Sequence, residues 1–206
     1  VILTDKTGTL TMANMDIGKI LPVEAKNEKE ILELALINSN VIIENPEEPP
    51  QNWRITGRTI EVSLVNSAAK RGVNFNKEKI AEKILDYLPF NAVNKFSVSI
   101  IKGGGDKKIL VFFGAPDILI EQSALKENER IHLIQTINQL AESGELVMGV
   151  ATKEINIKDN FNLSQNIKAN GLTLEGLITL RDPIRPGIKK AIKKVEDAGV
   201  RTIIMT

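Results

Sequence analysis

The sequence lacks the residues on which several common kinds of site depend. Its 206 residues include no cysteine and a single histidine, His132. Without thiols the chain can form neither a disulfide framework nor a thiolate metal site, and one imidazole argues against a histidine-based zinc site. We expect His132 to be a surface or boundary residue without a ligand role.

Long apolar runs and an excess of either charge are also absent. No stretch approaches the roughly 18 apolar residues that cross a bilayer, and no signal peptide opens the chain. The 27 basic and 26 acidic residues give a net charge of +1, which calls for neither nucleic acid nor an anionic membrane as partner. The pattern predicts a soluble segment cut from a longer protein, since both ends fall inside strand-like runs.

What the sequence does have is a short apolar run that ends in a carboxylate. Val1-Ile2-Leu3 leads to Asp5, and a turn with Thr7, Gly8 and Thr9 follows. A buried parallel strand delivers a reactive group to its carboxyl end in this way, where open α/β sheets bind ligands. Asp5 is a candidate nucleophile of the kind that forms an aspartyl phosphate, and Gly8 lets the backbone approach a phosphate. A strand that ends in an ordinary aspartate turn explains the same residues.

The seven residues Asp5-Lys6-Thr7-Gly8-Thr9-Leu10-Thr11 resemble the phosphorylation signature of the P-type ATPases, ion pumps that pass through a phosphoaspartate. The resemblance implies that Asp5 accepts the γ-phosphate of ATP, with Lys6 and Thr7 as the adjoining catalytic residues. It also implies that Mg2+ lies between the Asp5 carboxylate and the backbone carbonyl of Thr7. ATP and Mg2+ are therefore the expected cofactors.

Hydrophobic periodicity divides the chain into three parts. Residues 1–20 and 171–206 read as parallel-sheet α/β, whereas residues 21–170 read as α+β with an antiparallel sheet. One domain inserted into another explains this order. The family resemblance implies a haloacid-dehalogenase-type phosphorylation domain, truncated in its second part, that is interrupted by a nucleotide-binding domain.

Local signals predict the individual elements. Helices are expected after the N-cap Asn27 with Glu30 as its capping-box partner, over 60–71, over 77–88, from about 128 to 144, and from Pro186 to Gly199. Strands are expected over 96–100 and 109–113 as a hairpin, and over 146–151, 172–180 and 200–205. Residues 156–170 are expected to form a loop with a short helix.

Three middle stretches resemble the nucleotide site of animal-type cation pumps. Pro89 to Phe96 is similar to the start of the adenine-binding strand, which implies that Phe90 stacks on adenine and that Lys95 lies at the base of the pocket. For Phe90 an ordinary core aromatic is the alternative. Gly114 belongs to a Gly-Ala-Pro-Asp stretch similar to the family's Gly-Ala-Pro-Glu, and Glu61 ends a stretch similar to Gly-Asp-x-Thr-Glu.

Two further stretches resemble phosphate-side motifs of the same family. Arg181 to Arg185 is similar to Asp-Pro-Pro-Arg, with Asp182 and Arg185 kept and Ile184 in place of the second proline. Thr206 stands where the family's Thr-Gly-Asp begins. Asp182, Arg185 and Thr206 are therefore expected nucleotide-binding residues.

Two cationic contacts of the family pattern are missing. Phe113 stands at the usual lysine position and Leu146 at the usual arginine position. Hydrogen bonds to charged groups are worth roughly 1.5–3 kcal/mol each, so both losses together weaken nucleotide binding by about two to four orders of magnitude. Arg58 is a candidate substitute for one of them. We expect weak ATP binding and no catalysis by this segment alone.

Three hypotheses for the function follow. The first is the cytoplasmic catalytic portion of a P-type cation pump of the calcium, sodium/potassium or proton branch, working with transmembrane and actuator domains of the same chain at the cytoplasmic face of a membrane. The second is a haloacid-dehalogenase-type phosphatase with a cap domain, which would not need the adenine-site pattern. The third is a nucleotide-binding regulatory module without turnover, favoured by the missing lysine and arginine. The transported ion is not indicated.

Overall fold

The computed structural model describes residues 1–23, 25–73, 75–105, 107–156, 163 and 169–205. The strands are β1 (Ile2–Asp5), β2 (Asp16–Pro22), β3 (Ile42–Ile43), β4 (Ile55–Thr56), β5 (Ile84–Leu88), β6 (Phe96–Lys102), β7 (Lys108–Gly114), β8 (Leu146–Ile155), β9 (Thr173–Arg181) and β10 (Thr202–Met205). The α-helices are α1 (Glu28–Ile37), α2 (Thr59–Lys70), α3 (Lys77–Lys83), α4 (Pro116–Glu121), α5 (Glu127–Glu142) and α6 (Ile188–Asp197).

A six-stranded antiparallel sheet in the order β2-β9-β8-β7-β6-β5 organises the fold. Apolar side chains of the central strands alternate between its faces, so that Phe113 packs with α1 and α2 and its neighbour Phe112 packs with α4. Buried residues such as Leu32 and Leu64 cover the first face, and Leu119 covers the second. The sheet therefore lies between two helical layers, and the expected α+β unit with an antiparallel sheet is confirmed.

A separate parallel pair joins the two ends of the chain. β1 lies beside β10 with Ile2 opposite Thr202 and Asp5 opposite Met205, and α6 precedes β10. In the described part of the chain these are the only parallel strands, so a complete haloacid-dehalogenase-type sheet is not shown. The expected burial of the first strand is wrong: Val1 is 73% and Leu3 60% exposed, and among the described residues no member of this pair belongs to a hydrophobic core cluster.

The strand predicted over 172–180 forms, but its predicted parallel pairing is wrong. β9 is antiparallel to β8 on one side and to β2 on the other. Residues 174–180 are all buried between the helical layers, Glu175 and Thr179 included. Burial on both faces removes the alternation of apolar and polar residues that marks a half-exposed antiparallel strand, so the stretch resembles a parallel one. The domain boundaries at residues 20 and 171 stay a prediction, but the pairing favours placing β2 and β9 with the middle of the chain.

The helix predicted over 77–88 is only half right. α3 ends at Lys83, and Ile84–Leu88 pairs with β6, Ile84 opposite Ile101 and Leu88 opposite Val98. Backbone hydrogen bonds at the edge of the sheet outweigh the helical spacing of the apolar residues there. At the other end of the chain, α6 begins at Ile188 after Gly187, whose φ is +86°. Pro186 is therefore not the first helical residue.

Other local predictions are confirmed. Asn27 and Glu30 form the reciprocal capping box of α1, α2 runs over Thr59–Lys70, and the β6–β7 hairpin forms as expected. α5 covers the predicted amphipathic helix, with His132 exposed on it. The loop and helix predicted over 156–170 lie mostly outside the described residues. No helix in the described ranges is long and apolar enough to cross a membrane.

Candidate functional site

A cavity of about 340 Å³ lies where the N-terminus of α2 meets strands β6, β7 and β8. Two of the predicted site residues, Glu61 and Phe90, line it. The complete lining consists of Arg58, Thr59, Ile60, Glu61, Phe90, Ser97, Phe113 and Met148. A larger cleft, of about 430 Å³ between α1 and α3, contains none of the predicted site residues.

Phe90 is presented to this cavity by a short, well-pinned loop between β5 and β6. The Asn91 side chain accepts hydrogen bonds from the backbone N–H groups of Val93 at 3.1 Å and Asn94 at 2.8 Å, an arrangement that fixes the turn. The Phe90 ring is 41% exposed, and the guanidinium carbon of Arg58 lies 6.0 Å from its centroid. Phe90 is therefore an aromatic face open to the cavity and not an ordinary core residue.

Glu61 places a carboxyl group in the floor of the cavity. The residue is 8% exposed, and its Oε2 accepts a hydrogen bond from the backbone N–H of Asn40 at 3.2 Å. Burial raises the pKa of Glu61, and the Asn40 hydrogen bond and the Arg58 charge offset part of that effect. Burial also raises the pKa of Tyr87, with a contribution from the Glu61 charge. A carboxyl group that is protonated more readily than usual can donate as well as accept hydrogen bonds.

Gly114 and Lys95 shape this region from outside the cavity. A Cβ on Gly114 would lie 2.4 Å from the backbone oxygen of Lys95 and 2.5 Å from the Cα of Phe96, so only glycine allows β7 to approach β6 this closely. Lys95 has a φ of +58° and is exposed. In the described part of the chain, neither the Lys95 side chain nor Leu146 lines the cavity, whereas Phe113 does.

The predicted catalytic residues lie at the carboxyl end of β1. Asp5 and Lys6 are exposed, and Lys6–Leu10 forms one wide turn that is non-helical at Thr7 and at Gly8, where φ is +81°. A glycine suits this left-handed position, as the sequence suggested. The turn leaves the Asp5 side chain accessible at the end of its strand.

Asp182 and Arg185 hold this turn in place. Thr11 donates its hydroxyl to Asp182 at 2.5 Å, and the backbone N–H of Asn14 donates to the other carboxylate oxygen at 3.3 Å. Arg185 donates from its guanidinium to the backbone oxygen of Gly8 at 2.8 Å. The structure therefore brings both residues of the Asp-Pro-Ile-Arg stretch to the Asp5 turn. Thr206 lies outside the described residues.

The described residues supply only some of the ligands that a magnesium ion usually has. The residues described contain no group of three or more histidine, aspartate or glutamate side chains able to hold a metal. Mg2+ is ordinarily held by one or two carboxylates together with phosphate oxygens. The exposed Asp5 carboxylate fits that pattern when a phosphate is present, and it does not form a metal site by itself.

Sequence reasoning missed several residues of the cavity. Ser97 and Met148 line it, and Asn40 supplies the hydrogen bond to Glu61. Their positions depend on strand pairing and on the end of α1, for which no local pattern gives a signal. The two asparagines of the Asn-Ala-Val-Asn stretch are typical of a side-chain-closed turn and could have indicated the pinned Phe90 loop.

Known proteins align with the chain over all or nearly all of its length. The family model described as "P-type ATPase, cytoplasmic domain N" matches residues 27–187. A calcium-transporting ATPase of Bacillus subtilis (strain 168) is 28% identical, with 100% of this chain and 27% of that protein aligned. The plasma membrane-type calcium-transporting ATPase 4 of Arabidopsis thaliana is 27% identical, with 100% and 22% aligned. A putative cation-transporting ATPase of Methanocaldococcus jannaschii is 26% identical, with 97% and 21% aligned.

The chain thus spans between a fifth and about a quarter of the length of these relatives, 21% to 27%. The family match covers most of the chain, including α1, the whole β5–β8 region and both halves of the cavity. It also takes in the Asp182–Arg185 stretch that holds the Asp5 turn. On this ground the chain belongs to the P-type ATPase family, as a cytoplasmic N domain with short flanking parts.

Proposed function

We propose that this chain is the ATP-binding and phosphorylation segment of a P-type cation-transporting ATPase. In this proposal the cavity between Phe90 and Glu61 holds the adenine base, and Asp5 receives the phosphoryl group. The observation that carries it is the pairing of an open aromatic face with a buried carboxyl group in one cavity. In the full-length protein the segment would lie at the cytoplasmic face of a membrane and work with transmembrane and actuator domains.

The cavity has the features that a nucleobase requires. Its volume of about 340 Å³ falls at the lower end of the range for ligand pockets, roughly 300–1,000 Å³. Stacking of a base on an aromatic side chain is worth about 1–3 kcal/mol. Glu61 supplies a polar group for the base edge, and Phe113 and Met148 supply apolar walls.

The phosphorylation step assigned to Asp5 follows from its position and chemistry. Its carboxylate attacks the γ-phosphorus of ATP in line, the bond to the bridging oxygen breaks, and aspartyl phosphate and ADP result. When bound, Mg2+ would neutralise phosphate charge, held by the Asp5 carboxylate and the Thr7 carbonyl. The hydrogen bonds from Thr11 to Asp182 and from Arg185 to Gly8 keep the turn in shape. Lys6 adds a positive charge beside the nucleophile.

An ATP titration followed by amide NMR tests the base site. We expect saturable shifts around Phe90 and Glu61, and we expect Phe90→Ala to weaken binding by about 5- to 150-fold, since the stacking surface is removed. Val93→Ala is the matched control, because Val93 lies in the same loop and is 90% exposed. Absence of shifts at several millimolar ATP, or equal loss in both variants, would contradict the proposal.

A second candidate is a regulatory nucleotide-binding module without turnover. It is favoured by the cavity itself, because the uncharged Phe113 lines it where the family pattern has lysine. Asp5→Asn in the full-length protein separates the two candidates. Loss of the ATP-dependent phosphoenzyme supports the pump, whereas an unchanged function with bound ATP supports the regulatory module.

A further inference from the structure

Arg58 occupies a place in the cavity that the family resemblance does not assign to a cation. It stands at the aspartate position of the Gly-Asp-x-Thr-Glu pattern, immediately before α2. Its guanidinium carbon lies over the Phe90 ring, 6.0 Å from the centroid, and both residues line the cavity. Among the described lining residues, Arg58 is the only one that carries a positive charge.

The Arg58 side chain has no hydrogen-bonded partner among the described residues. Arg58 is the N-cap of α2, but its side chain makes no capping hydrogen bond. Within the described ranges, its guanidinium forms no ion pair and no side-chain hydrogen bond; it lies over the Phe90 ring, and its charge acts on Glu61 and Tyr87. The planar group and its five donors are therefore available to a ligand.

We propose that Arg58 forms the second wall of the base site, with its guanidinium plane stacked on the face of the nucleobase opposite Phe90. The inference rests on the proposed nucleotide function. A base between the two groups needs two van der Waals separations of about 3.5 Å, roughly 7 Å in all. The present 6.0 Å is therefore within about 1 Å of a sandwich, which an unpaired arginine side chain reaches by rotation alone.

Through Arg58 the cavity has a cation, although Phe113 and Leu146 stand where the family pattern has lysine and arginine. Arginine planes stack on bases as aromatic rings do, and they add a cation–π attraction. Since the guanidinium lies over the Phe90 ring, it is placed to contact a base that stacks on that ring. A phosphate contact would need the side chain to turn away from Phe90.

The test compares adenosine with ATP on the 206-residue chain. Dissociation constants from amide NMR titrations are measured for the wild type, Arg58→Ala, Arg58→Lys and Arg54→Ala. Arg54 is exposed four residues earlier, outside the cavity, so its loss changes the net charge equally. Arg58→Ala is expected to weaken adenosine and ATP by the same factor, roughly 3- to 30-fold. Arg58→Lys keeps the charge but lacks the planar group, so its affinity is expected to fall between those of the wild type and Arg58→Ala. Arg54→Ala is expected to bind both ligands with wild-type affinity.

Each other result has a distinct meaning. A loss for ATP alone would make Arg58 a phosphate ligand and overturn the inference. Tighter binding by Arg58→Ala would show that the Arg58 side chain blocks Phe90, which also overturns the inference. Wild-type affinity of Arg58→Ala, with an amide spectrum that shows an unchanged fold, overturns it as well. A wild-type chain that binds neither ligand overturns the proposed function, and the inference falls with it.

Discussion

The carboxyl group of Glu61 sits among apolar side chains at the base of the cavity, with Arg58 and Tyr87 as the charged and titratable groups that act on it. Burial raises its pKa above the ordinary value of 4.5. The folded chain therefore binds more protons than the unfolded chain between pH 4.5 and the higher folded-state value. Since stability falls with pH wherever the folded state binds more protons, Glu61 lowers the free energy of unfolding as pH rises across that window.

Glu61→Gln is expected to remove this pH dependence. Glutamine cannot ionise, and its side-chain oxygen can still accept the hydrogen bond from Asn40. Urea unfolding from pH 4.5 to 8 should show the variant gaining stability relative to the wild type as pH rises, with a plateau above the folded-state pKa. Glu142→Gln, at an exposed position of α5, serves as control. A difference that does not change with pH would show that burial leaves the Glu61 pKa unshifted.

Short motifs in the sequence indicated two residues of the cavity and misplaced one. Glu61 and Phe90 were predicted from short motifs, and the structure brings them together. Lys95 was expected at the base of the pocket, but its positive φ and the turn closed by Asn91 leave its side chain on the surface. A motif gives the order of residues, whereas the direction of a side chain depends on backbone angles that the motif does not contain.

Among the elements, those with local signals were predicted and those defined by a distant partner were not. The capping box of α1 and the hairpin of β6 and β7 depend on residues close in sequence. β5 and β9 depend on strands far along the chain or on both faces being covered. Apolar spacing in β5 fits a helix equally well, and the burial of β9 on both faces hides its antiparallel pairing.

Gly114→Ala tests the junction between β6 and β7. The new Cβ would overlap the backbone oxygen of Lys95 and the Cα of Phe96, and backbone atoms cannot rotate away as a side chain can. Overpacking ordinarily costs about 1–3 kcal/mol, so we expect a loss of roughly 3 kcal/mol or more in urea unfolding. Gly104→Ala, with no atom within 4 Å of its added Cβ, should change stability by less than about 1 kcal/mol. Equal effects of the two substitutions would contradict the close approach.

For the whole molecule, the described residues form two unequal bodies of secondary structure. The six-stranded sheet is covered on both faces, whereas the β1–β10 pair leaves Ile2 43% and Ile204 50% exposed. Few buried apolar contacts mean a low local stability. Hydrogen bonds with Asp182 and Arg185 hold the Asp5 turn, and these two residues lie directly after β9 of the larger sheet.

Asp182→Ala is expected to loosen the β1–β10 pair selectively. The substitution removes the hydrogen bonds from Thr11 and Asn14, and hydrogen bonds to charged groups are worth about 1.5–3 kcal/mol. Amide hydrogen exchange in β1 and β10 should therefore accelerate by roughly 10- to 100-fold, while β6 to β9 keep their protection. Asp16→Ala, which removes an exposed ion pair with Lys70, should leave both bodies unchanged. Equal acceleration of exchange in both sheets would contradict this expectation. It would show that the chain opens as one cooperative unit, and that the whole fold and not Asp182 stabilises the Asp5 turn.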